Sequence, residues 1–437
     1  MNLFAQIQDL HFPAPLPTTL LEIEQHFDAP RVADVAAAAA RAVQESGVLA
    51  KMPPGARLAI GVGSRGIANL PVIVKTVVAQ FQAAGLHPFI TPAMGSHAGA
   101  TAESQTDMLA NLGVTETSVG APIRATMEVH QIGQMTDGPP LFQDLLSAGA
   151  DHTFLIARIK PHTSFRSQIE SGLAKMLVIG LGKQQGAAVM HARGVYGLIH
   201  YMGPAARVYE AQTNIVGGLA IVENAYDQTA EIHGLPACDI GAEREAALLV
   251  KAKALMPSLP FPQIDVLVVR ALGKNISGTG MDTNVISRMK IPRQAEPSDG
   301  VDIATIAALD LTEATHGNAY GMGLANVITA RLARQIDWKA VYTNALTSGV
   351  LGMWRTSMPM TMADDRRTIQ AALRGCGEEQ ESARIVFMRD TLTLDRLWVS
   401  PSLRPNVEAH PRLKIIDERP LAFDADGVMC SPWDLSP

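Results

Sequence analysis

Residues 159–194 combine two histidines with lysines, glycines and an apolar run, a mixture that could do chemistry. The stretch reads "IKPHTSFRSQIESGLAKMLVIGLGKQQGAAVMHARG" and includes His162, Lys175 and His191. Glycines are typical of a surface loop, but the apolar run "MLVIGLG" is not. A core strand would contain the apolar run but not the histidines, lysines and many glycines around it. The mixture predicts a buried place where a charged or metal-bearing group meets backbone.

Two histidines follow apolar strands at turns of the chain. His97 comes after "HPFITPAMGS", and His162 comes after "HTFLIARIKP". A single histidine is more often structural than catalytic, but these two positions favour a functional role. Imidazole gives or takes a proton near neutral pH, so two such rings facing one substrate carbon could serve both of its faces.

Lys175 and His191 each allow two interpretations. Lys175 is either a solvated surface lysine or an amine desolvated by the apolar run and able to react with a cofactor. His191 has no partner at the usual metal-site spacings, so it could hold a metal only if a bound group supplied the other ligands. "SGLAK" and "GVGSRG" match neither a phosphate loop nor a dinucleotide fingerprint in full.

Two cations lie in glycine-rich turns that follow predicted strands. Arg65 lies near the end of "RLAIGVGSRG", and Lys274 lies in "LGKNISGTGMD". Each could bind a carboxylate or phosphate, or could pair with a neighbouring acidic side chain.

The elements that must position these groups form a βαβ pattern. We predict a strand in residues 57–66, a helix over 68–85 and a second strand from 87, and residues 152–165 repeat the strand-to-polar-loop arrangement. In open α/β sheets, ligands bind at the carboxyl ends of the strands, which is where the candidate side chains fall.

The length of 437 residues predicts two α/β domains with a cofactor and substrate cleft between them. We expect residues 1–260 to form the cofactor-binding and catalytic domain. After the proline-rich "LMPSLPFPQ", residues 261–410 would form a second domain that closes the cleft, and the tail 411–437 could return to the first domain.

The composition excludes several classes of function. Hydrophobic residues make up 47% and aromatic residues 5% of the chain, and no basic run is present, so we expect no nucleic-acid partner. The three cysteines show no CxxC spacing, which disfavours a disulfide framework or a cysteine zinc site. No apolar run reaches the length of a membrane span and no secretory signal is visible, so we expect a cytoplasmic protein that does not contact a membrane.

The order and spacing of these groups resemble the nickel-pincer lactate racemase family. The resemblance covers most of the chain and is strongest between residues 57 and 290. It is carried by an ordered set of short motifs: Ser64-Arg65, "GSH" at 95–97, "PH" at 161–162, "SGLAK" with Lys175, His191 sixteen residues later, and "GKNISGTGMD".

The resemblance implies a cofactor in which a mononucleotide carries nickel. Lys175 would hold this nickel-pincer nucleotide covalently, and His191 would complete the coordination of the nickel. Ser64, Ser171 and Gly172 would contact the cofactor. Enzymes that synthesise the cofactor would then be partners of the chain.

The reaction that the resemblance implies is racemisation or epimerisation of a small 2-hydroxy acid. The carbon-bound hydrogen would move as hydride to the cofactor and return to the other face, while His97 and His162 act as general acid and base. Arg65 and Lys274 would hold the carboxylate and polarise the oxygen of the substrate.

The sequence departs from the lactate racemase pattern near the substrate. Val62, Ala98 and the pair Leu173-Ala174 replace polar, basic or glycine residues. These departures favour a larger or differently charged hydroxy acid, including a sugar acid. Two alternatives stay open, an NAD-dependent hydroxy-acid oxidoreductase and a non-catalytic binder of a nucleotide-like cofactor, and so does a homo-oligomer.

Overall fold

The computed structural model describes residues 3–64 and 66–432, which form two compact α/β units. The central unit is Asp28–Met256. The terminal unit combines Met1–Phe27 with Pro257–Pro437. The mixed α/β class predicted from the sequence is confirmed.

The strands are numbered along the chain. They are Thr19–Gln25 (β1), Arg57–Val62 (β2), His87–Pro92 (β3), Val129–Gln134 (β4), Pro140–Asp144 (β5), His152–Arg158 (β6), Ile215–Glu223 (β7), Thr229–Pro236 (β8), Gln263–Leu272 (β9), Asp302–Leu311 (β10), Val327–Thr329 (β11), Met360–Met362 (β12), Ile385–Met388 (β13), Arg396–Val399 (β14), Leu413–Pro420 (β15), Ala422–Phe423 (β16) and Met429–Ser431 (β17).

The α-helices are numbered in the same way. They are Leu3–Gln6 (α1), Val35–Glu45 (α2), Leu70–Ala83 (α3), Ala102–Asn111 (α4), Glu116–Val119 (α5), Leu145–Ala148 (α6), Leu173–Lys175 (α7), Lys183–His191 (α8), Gly194–Gln212 (α9), Glu243–Ala254 (α10), Ala330–Arg334 (α11), Trp338–Thr347 (α12), Val350–Arg355 (α13), Asp365–Gly375 (α14) and Arg404–Ala409 (α15). A π-helix, Met176–Leu181, joins α7 to α8.

The central unit is built on a five-stranded sheet in the order β3-β2-β6-β7-β8. The first four strands are parallel, and β8 pairs antiparallel with β7 at one edge. Alternate residues of β6 face opposite layers: Phe154 packs with α2 and α3, and Leu155 packs with the π-helix and α9. This sheet covered on both faces explains why its strands read as almost continuous apolar runs. The βαβ unit β2-α3-β3 predicted from the sequence is confirmed.

The terminal unit contains an eight-stranded sheet in the order β12-β11-β10-β9-β13-β14-β1-β15. The strands from β12 to β13 are parallel, whereas β14, β1 and β15 pair antiparallel with their neighbours. The bounds therefore differ from those expected at both ends of the chain. The N-terminal segment belongs with the C-terminal half, and in the tail β15 pairs with β1 there. Local sequence pattern cannot reveal this, because the partners of β1 lie 372 to 401 residues further along the chain, from the pair Glu24 and Arg396 to the pair Thr19 and Pro420.

No helix within the described ranges combines the length and the apolar character needed to cross a membrane.

Candidate functional site

Three candidate side chains follow the carboxyl ends of three adjacent strands in the central unit. Ser64 follows β2, His97 follows β3 and His162 follows β6, and β2 lies between the other two strands in the sheet. The strands are parallel and in register, with Val62 opposite both Pro92 and Ile156. The sheet therefore brings the three loops to one edge, which we call the carboxyl edge.

Ser64 and His97 are in direct contact across this edge. The Ser64 Oγ lies 2.5 Å from the His97 Nδ1. The His97 side chain is exposed, and the three residues after it have positive φ angles: 53° at Ala98, 67° at Gly99 and 55° at Ala100. Alanine seldom adopts this left-handed conformation, so the turn after His97 stores strain of the kind that clusters at functional sites.

The loop before His97 rests directly on the π-helix. The Gly95 N–H donates to the Gly180 carbonyl over 3.1 Å, and a Cβ atom on Gly180 would lie 2.7 Å from the carbonyl oxygen of Ala93. Only glycine permits this approach. Gly180 inside "MLVIGLG" therefore serves a close contact between two parts of the chain.

The His162 loop is fixed by a buried carboxylate that sequence analysis missed. The Glu170 carboxylate, only 1% exposed, accepts the His162 N–H over 2.6 Å and the Ser167 N–H over 3.2 Å. It also pairs with the Lys253 ammonium at 2.6 Å. A buried carboxylate that accepts several donors holds the backbone of the loop in one conformation.

The His162 ring itself is oriented from two sides. The Ser164 N–H donates to the His162 Nδ1 over 3.0 Å, and the buried Phe165 ring stacks on the imidazole with centroids 4.4 Å apart. Since Nδ1 accepts, the neutral imidazole carries its proton on Nε2.

Lys175 and His191 lie at opposite ends of one helical segment, formed by α7, the π-helix and α8. Lys175 is half-buried, and His191 ends α8. Although the His191 side chain is exposed, the protein around it lowers the pKa of the imidazole by desolvation, and the charge of Lys175 lowers it further. A lowered pKa favours the neutral imidazole, which is the form that binds metal ions.

The amide groups that begin α7 already have an anionic partner. The carboxylate of Glu245, 2% exposed, accepts the Ala174 N–H over 3.2 Å and the Gly241 N–H over 2.7 Å. A Cβ atom on Gly172 would lie 2.2 Å from this carboxylate. Burial raises the pKa of Glu245, and the hydrogen bonds oppose that shift. Gly172 therefore provides space for a carboxylate, and Ser171 pairs its backbone with Lys160. A cofactor contact by these two residues stays a prediction.

Arg65 and Lys274 are not among the residues that the described part of the central sheet positions at the carboxyl edge. Arg65 lies outside the described residues. Lys274 belongs to the terminal unit, where its Nζ donates to the Asn344 Oδ1 and lies 5.0 Å from the centroid of the Tyr320 ring. Its backbone N–H donates to the Thr315 Oγ1 over 3.0 Å.

Within 3–64 and 66–432, no group of three or more histidine, cysteine, aspartate or glutamate side chains could hold a metal ion. The donor set around His191 therefore fits a metal only when another molecule supplies most of the ligands.

Comparisons with known proteins assign no family to the chain. No protein-family model matches, and no curated protein matches. A solved structure, the lactate racemase apoprotein from Thermoanaerobacterium thermosaccharolyticum, aligns with 85% of this chain and 88% of its own at 13% sequence identity and a TM-score of 0.45. A likeness this distant carries no argument about activity, so the interpretation below rests on the geometry of the described residues.

Proposed function

We propose that the chain is a racemase or epimerase of a 2-hydroxy acid that uses two histidines and a nickel-pincer nucleotide held by Lys175. The observation that supports it best is the placement of His97 and His162 on loops at the carboxyl edge, after the two strands that flank β2. In the proposed chemistry hydride returns to the other face of the carbon, so the oxygen of the substrate loses its proton to one base and regains a proton from another, and paired imidazoles supply this exchange.

The two rings would exchange protons through Nε2. Nδ1 of His97 contacts Ser64, and Nδ1 of His162 accepts from Ser164, so both rings are oriented by the chain through the same nitrogen. In one direction His97 takes the hydroxyl proton of the substrate and His162 returns a proton to the carbonyl oxygen of the 2-keto acid. In the reverse direction the roles exchange.

Lys175 and His191 would hold the cofactor. The neutral His191 imidazole provides one ligand for the metal, and Lys175 provides an amine for the covalent link. The bound cofactor would supply the electron-pair acceptor that lets the carbon-bound hydrogen leave as hydride. Enzymes that synthesise the cofactor would act on the chain before it becomes active.

A cation would bind the substrate carboxylate. Arg65 and Lys274 are the proposed residues. Lys274 contacts the Tyr320 ring and the Asn344 amide, and its ammonium group would pair with the carboxylate of the substrate.

The test uses protein produced together with the enzymes that make the cofactor. A panel of chiral 2-hydroxy acids, including sugar acids, is assayed for loss of optical purity. We expect one acid to racemise or epimerise, with deuterium at the reacting carbon largely retained in ordinary water. Reduction of added NAD by the same acids would indicate an oxidoreductase, and absence of any stereochemical change across the panel would contradict the proposal.

Variants assign the residues. His97→Ala and His162→Ala should each lower kcat by at least about 100-fold and leave the mass adduct on the protein. Lys175→Ala should remove the adduct. The matched control is His87→Ala, because His87 is an exposed histidine at the amino end of β3, the opposite end from His97. If His87→Ala lost as much activity as His97→Ala and His162→Ala, the result would contradict a specific role for the two histidines at the carboxyl edge.

A further inference from the structure

Lys183 is a fully buried lysine that the proposed chemistry does not use. Its side chain has 0% exposure, and it lies between the π-helix and the rest of α8. Its charge interacts with that of Asp144, which is also fully buried and caps α6. A buried ammonium group is costly and persists only where hydrogen-bond acceptors and a counter-charge hold it.

The backbone of Lys183 adds a second cost. Its φ angle is +52°, in the left-handed region that favours glycine. Neither the buried ammonium group nor the left-handed backbone of Lys183 improves the packing of the apolar core. An apolar side chain or a glycine at this position would avoid the burial of charge. The contacts of the Nζ atom must therefore account for the lysine.

Those contacts all lead toward the loop that carries His97. The Lys183 Nζ donates to the carbonyl of Pro92, the last residue of β3, and to the Gln105 Oε1 over 3.3 Å. Gln105, also fully buried, turns its amide nitrogen to the carbonyls of Gly95 at 2.9 Å and His97 at 3.3 Å. One lysine and one glutamine therefore hold three carbonyls between the end of β3 and the candidate base.

The same lysine belongs to the helical segment that carries the cofactor residues. Lys175 lies eight residues before it and His191 eight residues after it. The backbone bond from Gly95 to Gly180 joins the same two parts of the chain. Lys183 thus connects the element proposed to hold the cofactor with the loop proposed to hold the base.

We propose that Lys183, acting through Gln105, is a positioning residue that fixes His97 relative to Lys175 and His191. It touches no substrate in this role. Its catalytic consequence rests on the proposed function, whereas its effect on the His97 loop does not.

The first experiment measures amide hydrogen exchange in cofactor-free protein. We compare Lys183→Met and Gln105→Leu with Lys75→Met, which alters an exposed lysine on α3. Exchange at residues 94–97 should become at least about tenfold faster in the first two variants and stay unchanged in the third. Two results would overturn the proposal. A uniform increase in exchange rate across the central unit would assign Lys183 to general stability, and an unchanged rate at residues 94–97 would show that Lys183 does not hold this loop. If Lys183→Met does not fold, Gln105→Leu decides, because it keeps the lysine.

The second experiment uses the cofactor-loaded enzyme. Lys183→Met and Gln105→Leu should retain the adduct on Lys175 yet lose about 10- to 100-fold in kcat, with KM changed less than about threefold. Lys183→Arg, which keeps the charge and the donors, should recover part of the loss. Wild-type kcat in both Lys183→Met and Gln105→Leu would refute the positioning role. If the wild-type protein changes no hydroxy acid, the proposed function fails, and the exchange experiment still decides the structural part of the inference.

Discussion

Replacement of Gly180 by alanine tests whether the contact between the π-helix and the His97 loop is as close as the structure shows. The new Cβ atom would lie 2.7 Å from the Ala93 carbonyl oxygen, 3.1 Å from its carbonyl carbon and 3.3 Å from its Cβ. Carbon atoms settle at about 3.5–4.0 Å. Because the obstructing atoms include backbone, the loop or the helix must move.

Two opposing effects decide the magnitude. Alanine in place of a helical glycine gains about 0.5–1 kcal/mol from the reduced entropy of the unfolded chain. Overpacking costs about 1–3 kcal/mol, and weakening the 3.1 Å bond from Gly95 to Gly180 costs about 1 kcal/mol more. We therefore expect Gly180→Ala to lower the free energy of unfolding of the central unit by about 1–3 kcal/mol.

The matched control is Gly203→Ala. Gly203 lies in α9 of the same unit, and a Cβ atom there would meet only the Gly241 carbonyl at 3.4 Å, an ordinary contact. Pro204 follows Gly203, so the added Cβ crowds the proline ring and cancels the gain in helix propensity; this variant should stay within about 1 kcal/mol of the wild type.

The assay is hydrogen exchange of β2 and β3 amides across a urea series, which reports on the central unit. Every tryptophan lies after residue 256, so tryptophan fluorescence follows the terminal unit in the same samples. We expect Gly180→Ala to change the hydrogen exchange of the β2 and β3 amides and to leave the unfolding followed by tryptophan fluorescence unchanged. If Gly180→Ala is as stable as Gly203→Ala, the close approach of helix and loop is refuted.

Three further changes test other parts of the structure. Phe165→Ala removes the ring stacked on His162 and should lower stability by about 3–5 kcal/mol while broadening or shifting the His162 ring resonances in NMR spectra; an unchanged His162 spectrum would contradict the stacking. Asp265→Asn breaks a bidentate pair with Arg384, whose shorter contact is 2.6 Å, and should cost about 1–3 kcal/mol at pH 7 in urea unfolding. Burial raises the pKa of Asp265, but the hydrogen bonds and charge of Arg384 outweigh burial and lower it below its usual value. The stabilisation is therefore present above the unfolded pKa near 4 and is lost as pH falls through the folded pKa, so wild type and Asp265→Asn should converge in acid. Ala100→Gly relieves a positive φ angle and should raise the melting temperature or leave it unchanged; a clear decrease would show that the left-handed turn is not strained.

The parts of the fold that local pattern determines were predictable. The apolar strand and helix around α3 gave the βαβ unit with bounds correct to a few residues, because strand and helix periodicity are local properties. The pairing of β1 with β14 and β15 was not predictable, since it joins residues from opposite ends of the chain. The N-terminal segment accordingly clusters with Pro257–Pro437 and not with Asp28–Met256.

The candidate site shows the same division. Histidines after strands identified the carboxyl edge, because loops after parallel strands meet at one edge. Sequence analysis missed three buried charges that hold those loops and the start of α7, namely Glu170, Lys183 and Glu245. Each reads in the sequence as an ordinary charged residue, and only tertiary packing shows that it is buried among backbone groups. The one available signal was the position of Lys183 directly after "MLVIGLG".

The place of β1 between β14 and β15 has a consequence for synthesis on the ribosome. The first strand of the terminal unit emerges early, but its two partners follow only at 396–399 and 413–420. At translation rates of about 5–20 residues per second, roughly 20 to 75 seconds pass before β1 can pair. The whole of the central unit, 28–256, is made within that interval and can fold first. Until then the nascent chain displays an unpaired strand, "TLLEIEQ", whose backbone groups and apolar side chains Leu20, Leu21 and Ile23 stay open to pairing with other chains.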